Sequence, residues 1–277
     1  MSVTLAASYA ACRAIVRRAN SSFPLAFRLL SRPRRRAMDA LYAFSRLTDD
    51  IADSPGEPAA KRELLDRWRE ALSEALAGRF THPVHEALHD AVQRFAIPHQ
   101  YLFDVIDGVA MDLEPVRFAT FDELKRYCHC VAGAVGLACI RIWGIRPGVS
   151  FADADAPAEA AGIAFQLTNI LRDLREDTAH GREYLPQHDR KKTAESLALV
   201  NFEIERGRDL YRQAAALDGM LTNEGRAVFR VMSGTYRALL EKIACDPMAV
   251  FEKRVRVSKW KKAAIFLAAW PVKWGLL

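Results

Sequence analysis

"RRRAMDALYAFSRLTDDIAD", residues 34–53, carries apolar residues at intervals of three and four and ends in three aspartates, Asp49, Asp50 and Asp53. That interval marks an amphipathic α-helix. "SPGEP", 54–58, stops it, because prolines and glycine cannot continue a helix. The pattern restarts in "AAKRELLDRWREALSEALAG", 59–78, with Leu64, Leu65, Trp68, Ala71, Leu72 and Leu76 as the expected buried stripe and Gly78 as the C-cap. Further helical stretches follow at 82–97, 99–113, 118–145, 156–181, 195–217 and 224–246, with a loop rich in Pro, Gly, Asp and Ser over 146–155. With no parallel-sheet pattern and no Gly-rich phosphate loop, the expected fold is all-α and a single domain, residues 1–277.

The 277 residues are 51% hydrophobic and 27% charged, with Gly 14 and Pro 12, which excludes a disordered or fibrous chain. Five scattered cysteines make no disulfide framework and fit a cytoplasmic location. The acid-free start, with Arg13, Arg17 and Arg18, lacks a long apolar run and a cleavage site, so it reads as the opening of the domain. The net charge of +6 is a tail property: residues 253–277 hold seven basic residues and no acid, leaving −1 for the rest. A basic face across the domain is absent, which argues against a nucleic-acid partner. His82, His85 and His89 read as a solvated helix face, Cys128 and Cys130 lack zinc spacing, and Arg32, Arg34, Arg35 and Arg36 read as a surface cluster.

Asp49 and Asp53 are i and i+4, so both carboxylates leave one helix face about 6 Å apart along the axis. "FQLTNILRDLRED", 165–177, repeats the device with Asp173 and Asp177, and Gln166 and Asn169 lie on the same side. The apolar background of both helices turns these faces inward, where like charges need cations. Oxygen donors without histidine or thiolate select Mg²⁺, which keeps waters and shares substrate phosphates. A diphosphate held between two Asp-rich helices satisfies that chemistry, with Arg46 and Arg172 supplying positive charge. Loss of diphosphate from an allylic carbon leaves a carbocation that water would destroy. A dry apolar cavity is therefore expected, lined by aromatic faces such as Phe23, Phe27, Tyr42, Tyr127 and Phe165.

With these motifs, the chain resembles the squalene/phytoene synthase family of head-to-head trans-prenyltransferases. The resemblance runs from "SSFPLAFRLL" through "ALYAFSRLTDDIAD", "DVIDGVAMDL", "RYCHCVAGAVGL", "AFQLTNILRDLREDTAHGREYLP" and "TYRALLEKI". It implies a helical bundle of the class I isoprenoid synthase type with a central apolar cavity. It also implies that Asp49, Asp53, Asn169, Asp173 and Asp177 bind Mg²⁺, and that Gln166 lines the same face. Arg46, Arg172 and Arg182 would hold phosphate. Tyr42, Tyr127 and Tyr184 would stand near the reacting centre, with Phe23 in the substrate cavity. Gly133 and Gly136 would form a helix kink that makes room for prenyl chains. The motifs favour two farnesyl diphosphates going to presqualene diphosphate or squalene in a hopanoid or sterol route, with NADPH needed only for a final reduction. The alternatives are a phytoene synthase using geranylgeranyl diphosphate and a non-catalytic assembly factor of the same fold. Downstream isoprenoid enzymes are the partners such a chain would have.

Two departures stand out. "RKKTAESLALV", 190–200, is shorter than the family's usual linker, which bears on the local cavity wall. The long C-terminal extension and membrane helix of eukaryotic squalene synthases are missing. Instead, the basic amphipathic segment 253–277 has an apolar run only from Ala263 to Trp270, far short of the ~20 residues that span a bilayer. Flanking lysines with Trp260, Trp270 and Trp274 suit peripheral contact with the inner face of a membrane, or a last helix packed on the domain. A head-to-tail elongating prenyltransferase is disfavoured, since paired arginines do not follow Asp53.

Overall fold

The computed structural model describes residues 4–19, 23–114, 116–187 and 196–276. Among them every extended element is helical, and β-pairing is limited to two isolated bridges, Arg117 with Glu183 and Ile145 with Leu221. The helices are α1 (Leu5–Arg18), α2 (Phe23–Ala26), α3 (Arg32–Asp53), α4 (Pro58–Leu76), α5 (His85–Phe95), α6 (His99–Met111) and α7 (Phe121–Cys128). They continue as α8 (Ala134–Trp143), α9 (Phe151–Ala179), α10 (Ser196–Ala214), α11 (Asn223–Cys245), α12 (Ala249–Glu252) and α13 (Lys259–Ala269). Residues 188–195, which hold most of the short linker, lie outside the described residues.

The all-α expectation holds, and the aspartate helix ends at Asp53 as "SPGEP" requires. Gly78 follows α4 with a φ of +84°, the left-handed backbone that a side chain would resist. Two expectations change. Leu64 is exposed, so the buried side of α4 is carried by Leu65, Leu72 and Ala75. The long central helix begins at Phe151, inside the expected loop, because Ser150 and Asp153 form a reciprocal capping box that satisfies the first free N–H groups.

α9 runs through the middle of the molecule and touches both hydrophobic clusters. In one, its N-terminal half packs on α8, and α3, α5 and α6 complete the cluster around Leu41, Phe44, Leu88, Leu102 and Ile140. In the other, its C-terminal half packs with α7, α10 and α11 around Leu124, Leu167, Leu171, Ile204 and Leu240. Between α7 and α8 the chain takes one π-helical turn, His129–Gly133, which widens the helix where it crosses α9. The close approach depends on Gly162, since a Cβ there would stand 2.5 Å from the Ala132 carbonyl oxygen.

The three histidines at and just before α5, His82, His85 and His89, are not a solvated face. His85 is fully buried, with its ring 5.2 Å from that of Trp68 and 5.5 Å from that of His82, and neither ring nitrogen has a hydrogen-bond partner. Burial, with help from His82, pushes its imidazole down to about 4. A group depressed on folding stabilises the protein fully above its unfolded value near 6.5 and loses that stability as pH falls towards 4. The expected result is a loss of up to about 3 kcal/mol between these limits, absent in His85→Leu. Urea unfolding of both proteins at several pH values reads the difference.

A two-chambered candidate active site

α3 and α9 bring both acidic pairs to one cavity. Asp49 and Asp53 enter it from the last turns of α3, and Asp173 and Asp177 from the last turns of α9. The cavity, about 390 Å³, is also lined by Gln166, Asn169, Arg172 and Arg182, and by Tyr127, Tyr184 and Asp112. A second, apolar cavity of about 280 Å³ continues from it into the bundle. The two share Asp49, Val131, Gln166 and Asn169 along their walls, so the acidic chamber is the mouth of the apolar one.

The electrostatics of the chamber are unfavourable without a cation. Asp49 is open to the chamber's water yet crowded by protein, and that crowding, with repulsion from Asp53, pushes its carboxyl up to about 7. Burial and the charge of Asp173 push Asp177 up to about 6. Asp112 is raised by burial, although the Tyr184 and Tyr127 hydroxyls donate to it at 2.8 and 3.0 Å. Asp112 repels both Asp49 and Asp177, so it lies electrostatically between the two pairs.

The arginines are already engaged. Arg172 donates twice to Asp173, at 2.9 and 2.5 Å, and Arg254 reaches the same carboxylate at 3.0 Å. Arg46 pairs with Asp50 at 2.5 Å, which keeps Asp50 out of the chamber lining. Arg182 is set by its backbone N–H, which donates to the Asp177 carbonyl at 2.9 Å after the turn at Gly181.

These residues fit a divalent ion by chemistry rather than as a closed cage. The donors are oxygens throughout, and the buried Oδ1 of Asn169 has no hydrogen-bond partner. Among the described residues no three His, Cys, Asp or Glu side chains converge on one point. That suits an ion whose remaining positions go to water and substrate phosphate.

Phe23, Phe27, Tyr42 and Phe165 line the apolar chamber, with Gly136; Arg46, expected to hold phosphate, lines this chamber beside Asp49 and not the acidic one. Tyr127 does not join them. It lines the acidic chamber, held there by its bond to Asp112. Gly133 lines neither cavity and packs at the helix crossing, where a Cβ would stand 3.2 Å from His129 Nδ1 and 3.4 Å from Glu159 Cγ. Gly136 serves both roles, lining the cavity with its Cβ position 3.0 Å from the Ala158 carbonyl.

Sequence reasoning missed Asp112 and Tyr236. Asp112 follows α6 with no acidic partner at helical spacing, so only its place inside "DVIDGVAMDL" marks it. Tyr236, in "TYRALLEKI", stacks on Phe165 at 4.7 Å and on Phe23 at 5.7 Å, making one aromatic wall of the apolar chamber. Only its place inside a motif could have drawn attention to it.

Comparison with known proteins agrees with this geometry. The family description "Squalene/phytoene synthase" matches residues 16–261. Phytoene synthase 3 of Zea mays chloroplasts is 36% identical over 273 residues, 93% of this chain and 64% of the plant protein. The chain thus spans under two thirds of that relative's length. Phytoene synthase of Mycobacterium tuberculosis is 36% identical over 278 residues, covering 95% of this chain and 90% of that protein. Among solved structures, a dehydrosqualene synthase in complex with ligand superposes with a TM-score of 0.85 at 26% identity, covering 96% of each chain. Squalene synthase HpnC from Alicyclobacillus acidocaldarius superposes with a TM-score of 0.78 at 23% identity, covering 88% of this chain and 96% of that one, a likeness of fold.

Proposed function

Because the chain belongs to the squalene/phytoene synthase family, which joins prenyl diphosphates head to head, we propose that it condenses two geranylgeranyl diphosphates to phytoene. The observation that carries the reading is the acidic chamber opening into an aromatic-walled apolar one. The motifs alone favoured farnesyl diphosphate. The phytoene alternative is better supported, by phytoene synthases at 36% identity over more than nine tenths of the chain. A presqualene or squalene-forming reaction is the second reading, supported by the dehydrosqualene synthase at 26% identity.

Asp49, Asp53, Asn169, Asp173 and Asp177 would hold Mg²⁺, which when bound supplies charge neutralisation to the departing diphosphate. Arg172 and Arg182 face the same chamber; Arg172 can exchange its Asp173 partner for phosphate oxygens, and Arg182 can offer its guanidinium to them. Arg46 lies at the apolar side of the mouth with Asp49 and Tyr42, where it can hold the second diphosphate. Tyr127 and Tyr184 are oriented by donating to Asp112 in the wall of the acidic chamber, where their remaining lone pairs would stand beside the reacting carbons of a bound substrate. Phe165, Tyr236 and Phe23 give ring faces to the carbocation, and the apolar wall excludes water. In phytoene formation two diphosphates and two protons leave and no reductant is consumed, so NADPH has no part in this reading. A cytoplasmic site of action is consistent with five free cysteines, four of them buried.

The test is product analysis with each diphosphate, with Mg²⁺ and with or without NADPH. Phytoene from geranylgeranyl diphosphate, independent of NADPH, is the expected result. Turnover confined to farnesyl diphosphate would move the assignment to the squalene branch. No turnover of either would favour a non-catalytic assembly role beside downstream isoprenoid enzymes.

A further inference from the structure

Helix α13 is apolar on two opposite faces. Its inner face, Ile265, Phe266 and Ala269, packs on α11, where Gly234 leaves room for Ile265 with a Cβ position only 3.1 Å from its Cγ2. The outer stripe is left in water: Trp260 is 86% exposed, Leu267 68%, Trp274 63% and Leu276 72%. Trp260 and Leu267 are seven apart, so they lie on one side of the helix, and Trp274 follows seven further on in the next helical turn. A tryptophan this exposed at each end of a short apolar helix is unusual for a surface facing only solvent.

The charge beside the stripe points to its occupant. Residues 253–277 carry seven lysines and arginines and no acid, while the rest of the chain sums to −1. Lys259 and Lys261 are exposed next to Trp260, and Lys273 lies 5.3 Å from the ring of Trp274. Tryptophans at both ends, a short apolar centre and lysines at their level match the layering of a bilayer interface with anionic headgroups. Among the described residues no helix is long and apolar enough to cross a membrane.

We infer that α13 and the turn after it, through Trp260, Leu267 and Trp274 with the flanking lysines, dock this protein on the surface of an anionic lipid bilayer. The docking places the chemistry usefully. Arg254, a few residues before α13, reaches the Asp173 carboxylate at 3.0 Å, so the segment that carries the docking helix also touches the acidic chamber. The inner side of α11, through Phe229, Met232 and Tyr236, walls the apolar chamber, so one helix separates lipid from cavity.

Flotation of the full chain with phosphatidylcholine vesicles, with and without phosphatidylglycerol, tests the inference without any assay of turnover. Binding to the anionic vesicles is expected to be at least about tenfold tighter than to the neutral ones and to weaken with salt. Tryptophan emission should shift to shorter wavelength on binding. The triple variant Trp260→Glu, Leu267→Glu and Trp274→Glu should lose binding at least about tenfold with an unchanged melting temperature, because all three side chains are exposed. Should that variant misfold, Lys259→Gln with Lys261→Gln gives a second reading, with an expected fall of several-fold on anionic vesicles only. Three outcomes overturn the inference: no anionic binding by the parent, equal binding by the triple variant, or a concentration-dependent dimer that the variant dissociates while vesicles are ignored. The last would give the stripe to a second copy of the chain.

Discussion

Asp49→Asn is expected to lower turnover by at least about 10³-fold while leaving the melting temperature unchanged or raised. The loss follows if this carboxylate helps place the ion that neutralises the leaving diphosphate, a contribution of several kcal/mol. The stability effect follows from the chamber as it stands. A carboxyl raised on folding gives stability that is present below its unfolded value near 3.9 and lost as pH climbs to about 7, so the ionised Asp49 opposes folding at neutral pH. Asparagine removes that charge. Asp173→Asn should abolish turnover as well but lower stability, by about 1 kcal/mol, because Arg172 and Arg254 then lose their shared anionic partner and one of its two acceptor oxygens becomes an amide donor. Thermal melts with and without Mg²⁺ separate the two effects: the ion should raise the melting temperature of the parent and leave Asp49→Asn nearly unmoved. Retained turnover in both variants, or equal Mg²⁺ stabilisation of all three proteins, would remove the acidic chamber from the reaction.

Gly162→Ala should destabilise the protein by about 3 kcal/mol net of any helix-propensity gain, a fall in melting temperature of roughly 6–12 °C for a domain of this size. Alanine ordinarily helps a helix by about 1 kcal/mol, so the sign itself is diagnostic. Here the new methyl would stand 2.5 Å from the Ala132 carbonyl oxygen and 2.8 Å from the Gly133 Cα, and neither backbone atom can swing aside. Gly162 and Ala132 also line the apolar chamber, so turnover should fall with stability. Gly219→Ala is the control: nothing lies within 4 Å of its Cβ position, and the change should be neutral. A Gly162→Ala protein as stable as the parent would mean that α9 and the π-turn can separate without penalty.

Much of this was legible in the chain itself. Helical periodicity and the proline stops gave α3 and α4, and the two Asp pairs with Gln166 and Asn169 between them marked the acidic chamber. Both are local properties: a helix puts i and i+4 on one side whatever it later packs against. The same logic read four of the five aromatic residues of the cavity correctly, but could not tell that Tyr127 belongs to the acidic side. That depends on Asp112, fifteen residues away in sequence, and on Tyr184 beyond α9, which meet only after α6, α7 and α9 have packed. Tertiary structure also decided which glycines serve the cavity, because close approach is a relation between two backbones and one sequence stretch contains only half of it. It buried His85, whose neighbours on α5 suggested a polar face, since Trp68 of α4 closes over the ring. What the sequence determined were faces and spacings; what it left to packing was which faces meet, because contact free energy is set by surfaces brought together from distant parts of the chain.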